Sequence, residues 1–490
     1  MNRKVRLCGA LLVVAVVGLA LDGSADTSEA DVPAAPRLSV LFIVSDDLNC
    51  QLGCYGNTVV QTPNIDRLAG RGVRFERSYC NYPVCNASRT SFLSGRYPDT
   101  TGVFGNATDP RVQLGKDFQF LPEYFHSHGY FTAGIGKIAH GGFPNSVKWD
   151  VFAEPQRGID EDDVPKAKAK AASKASKAEK AARKAAKAAK AAAKAGGEQV
   201  PFGWQATNNK DDEEPDGQVA HKIVKLLEQH KDKPFFIAAG LHKPHVPHTA
   251  PKKYFDMYPV EKMPLPLEPT DHAKNIPTVA RNGKYYPDLT DAQKRSIIAH
   301  YYAATTFMDA QVGLLLDAMD RLRLWDNTVV VFLGDHGWHH GEHGGFWAKM
   351  SVMEESARAP LIVAAPGRKP AVSNRLVEFV DIFPTLTELC KLPAAAGIEG
   401  TSFVPLLDDT GRPWKKAVFT VVRRASGLGR AVRTEAHTYI EWPDGSAQLY
   451  EHGRDPKEYF NLAKAPNYAG VVAEMKQLLK DGWRAARPGT

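Results

Sequence analysis

A cysteine at position 85 is followed four residues later by Arg89, inside the run Tyr82–Arg96 (YPVCNASRTSFLSGR). An ionised thiol is a strong nucleophile, and a guanidinium is a clamp for an anion. Two adjacent carboxylates, Asp46 and Asp47, end one apolar run, and Asp335 with His336 ends another. Three carboxylates brought together repel unless a cation holds them. Hard oxygen donors suit Ca2+ or Mg2+, and His336 leaves room for a softer ion. Basic groups recur at similar places. Lys137 and His140 stand three apart in the glycine-bracketed GKIAHGG, His242 opens HKPHVPH, and Lys349 closes Trp347-Ala348-Lys349. His339, His340 and His343 are read as substrate-pocket or surface groups rather than as ligands of a second metal.

These residues need strands to carry them. Ser39–Ser45 (SVLFIVS), Pro234–Ala239 (PFFIAA) and Thr328–Leu333 (TVVVFL) are continuous apolar runs, the mark of strands buried on both faces of a parallel sheet. Tyr130–Ile135 and Leu361–Ala364 are further strand candidates. Helices are expected over Phe118–His128, Asp216–His230, Ala292–Arg321 and Asp381–Leu389, with a short one after Thr62-Pro63 and one opening just after Cys85. Strands alternating with helices predict an α/β fold, a large and mostly parallel sheet flanked by helices. Ligand groups then gather where strands end, at one shared sheet edge. From about Gly400 the texture changes to short strands separated by turns, with a hairpin signal at Asp444-Gly445 and a closing helix at Val471–Trp483. This predicts a smaller C-terminal antiparallel sheet plus helix. The expected organisation is therefore a main domain over 37–400 and a C-terminal α+β subdomain over 401–490.

Composition excludes little by itself. The 490 residues are 43% apolar, enough for a sizeable core. The net charge of +7 comes from one place, because Lys166–Lys194 holds ten lysines, one arginine and one glutamate. The rest of the chain is slightly acidic, so the basic balance does not argue for a specific nucleic-acid partner. This Lys/Ala segment, within an insertion at 165–197, lacks an apolar stripe and reads as a solvated spacer, or as a tether for polyanions. Residues 1–25 read as an export signal: Arg3, Lys4 and Arg6, then an apolar run too short to span a bilayer, then small residues. The expected location is periplasmic or extracellular. Removing that segment leaves an odd number of cysteines, with Cys85 the natural unpaired one.

The order of motifs is more specific than any one of them. Strand-DD, C-x-A-S-R, GK-x-x-H, HKPH, strand-GDHG and W-A-K together resemble the formylglycine-dependent sulfatases of the alkaline-phosphatase-like superfamily. The likeness spans roughly residues 38–465 and is strongest to the iduronate-2-sulfatase branch. The resemblance implies one Ca2+ held by Asp46, Asp47, Asp335, His336 and an oxidised Cys85. It implies that Cys85 becomes formylglycine, whose hydrate attacks sulfur and then expels sulfate through its second hydroxyl. Arg89 and Lys137 would orient and neutralise the nucleophile and the sulfate. His140 would move a proton at the hydrate, His242 would protonate the leaving oxygen, and Lys349 would bind a sulfate oxygen. The substrate class implied is a sulfated sugar or polysaccharide, as in glycosaminoglycans. The partner implied is a maturase, either the aerobic formylglycine-generating type or an anaerobic radical type. Ala87 stands where the common signature has proline, a form reported for the radical type. The competing readings are a phosphate or phosphonate ester hydrolase of the same superfamily, and an unmodified carbohydrate-binding pseudo-sulfatase.

Overall fold

A computed structural model of the chain describes residues 37–140, 146–155, 200–281 and 284–489. The export segment, the Lys/Ala segment and Gly141-Gly142 lie outside the described residues. Strand β1 (Ser39–Asp46) is buried at every position, as its unbroken apolar run requires. The side chains alternate between faces. Val40, Phe42 and Val44 enter one core, while Leu41 and Ile43 enter the other.

Seven strands join β1: β2 (Val73–Tyr79), β3 (Phe131–Gly136), β4 (Val151–Ala153), β5 (Phe235–Pro244), β6 (Thr328–Gly334), β7 (Leu361–Ala364) and β8 (Ala371–Glu378). Their order across the sheet is β8-β2-β7-β6-β1-β5-β3-β4. Every neighbouring pair is parallel except those made by β7, which runs antiparallel to both β2 and β6. The sheet is thus mostly parallel with one reversed strand. The three strands that carry acidic or histidine ends, β5, β1 and β6, are adjacent at its centre.

One face of the sheet is covered by α1 (Pro63–Ala69), α4 (Pro215–His230) and α5 (Asp291–Arg321), whose apolar residues include Leu68, Ile223, Leu227, Met308 and Leu315. The other face takes α2 (Cys85–Ser94), α3 (Leu121–Ser127) and α6 (Ile382–Leu389) through Phe92, Phe125 and Phe383. Helix α5 is opened by a capping box at Thr290 and Gln293, and α2 ends at Gly95 in the left-handed conformation. No helix among the described residues is long and apolar enough to cross a membrane.

The C-terminal strands β9 (Val418–Arg424), β10 (Gly427–Arg433), β11 (His437–Glu441) and β12 (Ala447–Glu451) form an antiparallel meander beside α7 (Ala469–Asp481). Gly445, at φ 84°, makes the turn between β11 and β12 where Asp-Gly signalled it. Asn81 ties this sheet to the main one. Its Nδ2 donates to the Phe419 carbonyl, and its carbonyl accepts from Val421. Strands β2, β4 and β8 were not expected from sequence.

Candidate active site

Helix α2 begins at Cys85 itself, so the sulfur sits at a helix N-terminus, where backbone N–H groups favour negative charge. The whole helix is buried. Cys85 Sγ lies 3.1 Å from Lys349 Nζ, 3.4 Å from His336 Nε2 and 3.9 Å from Asp47 Oδ1. Burial first, then Asp46, pushes this thiol well above the usual range despite Lys349 and Lys137. An unmodified Cys85 is therefore a poor thiolate, which separates it from an ordinary cysteine nucleophile. All five described cysteines are free.

Asp46 and Asp47 leave the end of β1 in different directions. Asp46 extends the strand, whereas Asp47 turns into the left-handed region at φ 61°. Side chains of consecutive strand residues point to opposite faces, and this turn breaks that rule. Side chains fix the Asp47 backbone at both ends. Its N–H donates to Asp335 Oδ1 at 3.0 Å, and its carbonyl accepts from Tyr301 Oη at 2.8 Å. His336 donates from Nδ1 to the Gly337 carbonyl, which leaves Nε2 as a lone-pair donor. That atom lies 3.3 Å from Asp47 Oδ1 and 3.6 Å from Asp335 Oδ1. Burial, then Lys349, holds His336 well below the usual histidine range, so the ring is neutral.

Cations face these acids from three sides. Arg89 Nε and Nη2 each reach a carboxylate at 3.0 Å, Asp335 Oδ2 and Asp46 Oδ1 respectively. Its Nη1 donates to the carbonyls of Lys137 and Ile138. Arg89, expected to orient and neutralise the nucleophile and the sulfate, thus braces two acids and two backbone carbonyls of the site. Lys137 Nζ lies 2.6 Å from Asp46 Oδ2, and Lys349 Nζ lies 2.6 Å from Asp47 Oδ1. Lys137 is placed by a close backbone approach, because its N–H donates to the Gly240 carbonyl of β5 at 3.0 Å. A Cβ on Gly136 would stand 2.1 Å from that carbonyl oxygen, so β3 must end in glycine there.

The electrostatics split the acids. Burial alone would raise Asp46, but Lys137, His245, Arg89 and Lys349 hold it well below the carboxylate range. Burial with Asp46 and Asp335 pushes Asp47 up to about 8 against the pull of Lys349. Asp335 is raised to about 6 by burial and Asp46, opposed by Arg89. Asp47 Oδ2 accepts no hydrogen bond. Ligand atoms of Asp46, Asp47, Cys85 and His336 all lie within 4.8 Å of one another, with Asp335 joined through Asp47 and His336. An acid that burial drives toward neutrality, an acceptor lacking a donor and a neutral imidazole nitrogen facing both are what a divalent cation would satisfy.

His242 Nδ1 lies 3.5 Å from Asp46 Oδ2 at the end of β5. His140 is buried near Lys137, Asp46, Arg89 and Lys349, and burial with Lys137 pushes it down to about 3. All ten residues singled out from sequence are therefore buried, nine of them linked by the short contacts given above. Three more were not assigned a role. Asp216, in the first turn of α4, accepts the His242 and Lys243 backbone N–H groups on its two oxygens, both at 2.8 Å. Tyr301 of α5 also accepts the Asn49 N–H at 3.0 Å. His245, visible in the HKPH run, brings Nε2 to 3.7 Å from Asp47 Oδ2. One expectation is corrected. His339, His340 and His343 are not surface groups but are buried, packed between the strand-end loop and neighbouring aromatic rings.

Comparison with known proteins places this arrangement. The Sulfatase family profile matches residues 39–392, and that of the N-sulphoglucosamine sulphohydrolase C-terminal region matches 341–484. The chain is 33% identical over 405 residues to the iduronate 2-sulfatase of Mus musculus, covering 74% of this chain and 70% of that protein. It is 31% identical over 456 residues to a sulfatase of Formosa agariphila, covering 90% and 86%. Among solved structures, BT4656 in complex with its substrate D-glucosamine-2-N,6-O-disulfate aligns with a TM-score of 0.72 at 20% identity, covering 91% of this chain and 98% of that one. The phosphonate monoester hydrolase of Agrobacterium radiobacter aligns with a TM-score of 0.73 at 22% identity, covering 92% and 96%. These structural likenesses establish a common α/β fold, the alkaline-phosphatase-like one. The sequence matches go further: the chain belongs to the sulfatase family and is a sulfuric ester hydrolase.

Proposed function

We propose that the chain removes sulfate from a sulfated uronic acid or related sugar, with formylglycine at position 85 and one Ca2+ held by Asp46, Asp47, Asp335, His336 and residue 85. The observation that carries this reading is the setting of Cys85. Its sulfur sits at a buried helix N-terminus, against Lys349 and His336, beside an acid cluster whose Asp47 Oδ2 lacks a hydrogen-bond donor. The similarity to iduronate 2-sulfatase supports the sugar class. Neither the phosphoester nor the pseudo-enzyme alternative is favoured beside a sulfatase match over 39–392.

Formylglycine would supply a hydrated aldehyde whose one hydroxyl is the nucleophile toward sulfur and whose other allows sulfate to be released. The protein's own groups do the rest. Lys137 and Lys349 present ammonium groups where negative charge resides on the sulfuryl oxygens. Arg89 fixes the Asp46 and Asp335 carboxylates, which the Ca2+ would need held in place. His140, pushed down to about 3, is neutral near neutral pH and suits a proton acceptor near residue 85. His242, held by Asp216 through its backbone, is the group to protonate the leaving sugar oxygen. The Cys85 maturase, export to the periplasm or cell exterior, a domain division near residue 400 and polyanion contact through 166–194 belong to the same reading.

The deciding experiment is mass spectrometry of the Cys85 peptide from protein made in its native host. The expected mass is that of the aldehyde, and an intact thiol throughout would refute the mechanism. Aryl sulfate should then turn over well above aryl phosphate.

A further inference from the structure

A second cluster lies on the loop that delivers Lys349. We propose that His339, His343 and Glu355 form a second cation site, for a divalent transition metal of the Zn2+ class. His339 is fully buried, and neither of its ring nitrogens has a hydrogen-bond partner. Leaving such groups unsatisfied in a protein interior is unfavourable. The nearest acidic atoms to His339 Nδ1 are Glu342 Oε2 at 3.6 Å and Glu355 Oε2 at 3.8 Å. Those separations are too long for hydrogen bonds. They are close to the edges of a coordination tetrahedron, which are about 3.3–3.6 Å when ligand bonds are about 2.0–2.2 Å.

His343 Nε2 is hydrogen-bonded to Glu355 Oε2 at 2.9 Å through a proton that an ion would displace, and the ligand atoms of His339, His343 and Glu355 all lie within 4.8 Å of one another. Glu355 Oε1 also lacks a hydrogen-bond partner. Two imidazoles with carboxylates select zinc-like ions over Ca2+, which prefers an all-oxygen shell. An entry path exists. Glu342 and Glu355 line an open cleft of about 630 Å³ together with His340 and Lys457. The two histidines precede Lys349 in sequence and Glu355 follows it. An ion there would close a loop across Lys349 and brace the segment that carries it to Cys85. This site shares no residue with the Asp46–Asp47 cluster and does not depend on the proposed substrate.

Tag-free protein in excess Ca2+, titrated with Zn2+ alone and freed of unbound metal, should retain one Zn2+ per chain more than the His339→Gln variant. Equal retention in both would overturn the site. Because a buried substitution can prevent folding, wild-type crystals soaked in zinc salt supply a second measurement. An anomalous peak touching His339, His343 and Glu355 is expected. A peak confined to the Asp46–Asp47 cluster, or none, rules the proposal out.

Discussion

Among the described residues, two of the buried clusters of acids and cations are built to opposite rules. In the first, Glu378 and Asp381 meet Lys415 at 2.7 and 2.8 Å. Every carboxylate oxygen of the pair finds a donor. Glu378 accepts from Tyr97 Oη, Asn81 Nδ2 and the Phe419 N–H, and Asp381 accepts from the Thr401 and Glu378 N–H groups. This cluster joins the end of β8 to β9. In the second, around Asp46 and Asp47, three acids face two lysines and one arginine, yet Asp47 Oδ2 is left without a donor. A saturated cluster fixes a junction. An unsaturated one keeps unspent binding capacity for an ion and a substrate.

The largest effect should come from the unsaturated cluster. Cys85→Ala should lower kcat on the order of 10⁴-fold or more, as loss of a nucleophile does, with an unchanged melting temperature. Calorimetry beside an aryl sulfate assay checks both halves. Loss of stability with activity retained would abolish the contrast drawn here. Next, Lys415→Met removes one partner of the saturated cluster. It should cost roughly 3–5 kcal/mol in denaturant unfolding, because two carboxylates lose their buried counter-charge. The rate per folded molecule should hold.

His300 offers a control outside both clusters. It stacks on Trp204, and burial pushes it down to about 4. The unfolded chain then binds more protons between about pH 6.5 and 4. Stability from this residue is complete above that window and is lost as pH falls through it, by up to about 3 kcal/mol. His300→Phe should flatten that part of the stability profile, and a slope that persists would assign it to other groups. The smallest change expected is from Asp216→Asn, which keeps the shape but loses an acceptor for the His242 and Lys243 N–H groups. A drop of roughly 10- to 100-fold in kcat, with KM little altered, is expected from a displaced His242. An equal loss through KM would make Asp216 a substrate-binding support instead.

The central strands were readable because burial on both faces demands unbroken apolar runs, as in β1, β5 and β6. β2 and β8 were not, since VRFERSY and AVSNRLVE carry charge on partly exposed faces. Strand-end chemistry was readable for the same reason that strand ends converge. Asp216 escaped notice because an acid in a first helical turn has an ordinary explanation in the helix dipole. Its true partners lie 26 and 27 residues away in sequence. Tyr301 is one aromatic in a 31-residue helix, and nothing local marks its hydroxyl as the one that holds Asp47. The bracing of Asp46 and Asp335 by Arg89 was also hidden, because spacing from a cysteine does not say where a guanidinium points.

The left-handed turn at Asp47 separates shape from chemistry. Its backbone is pinned by the acid that follows β6 and a phenol from α5, so the turn does not rely on the carboxylate it displays. A chain that exchanged this acid for asparagine, a residue tolerant of that conformation, would keep the same contour while losing charge. The architecture can therefore outlive the reaction. A descendant that had stopped turning over substrate would still present the same pocket, ready to recognise a sulfate ester without hydrolysing it.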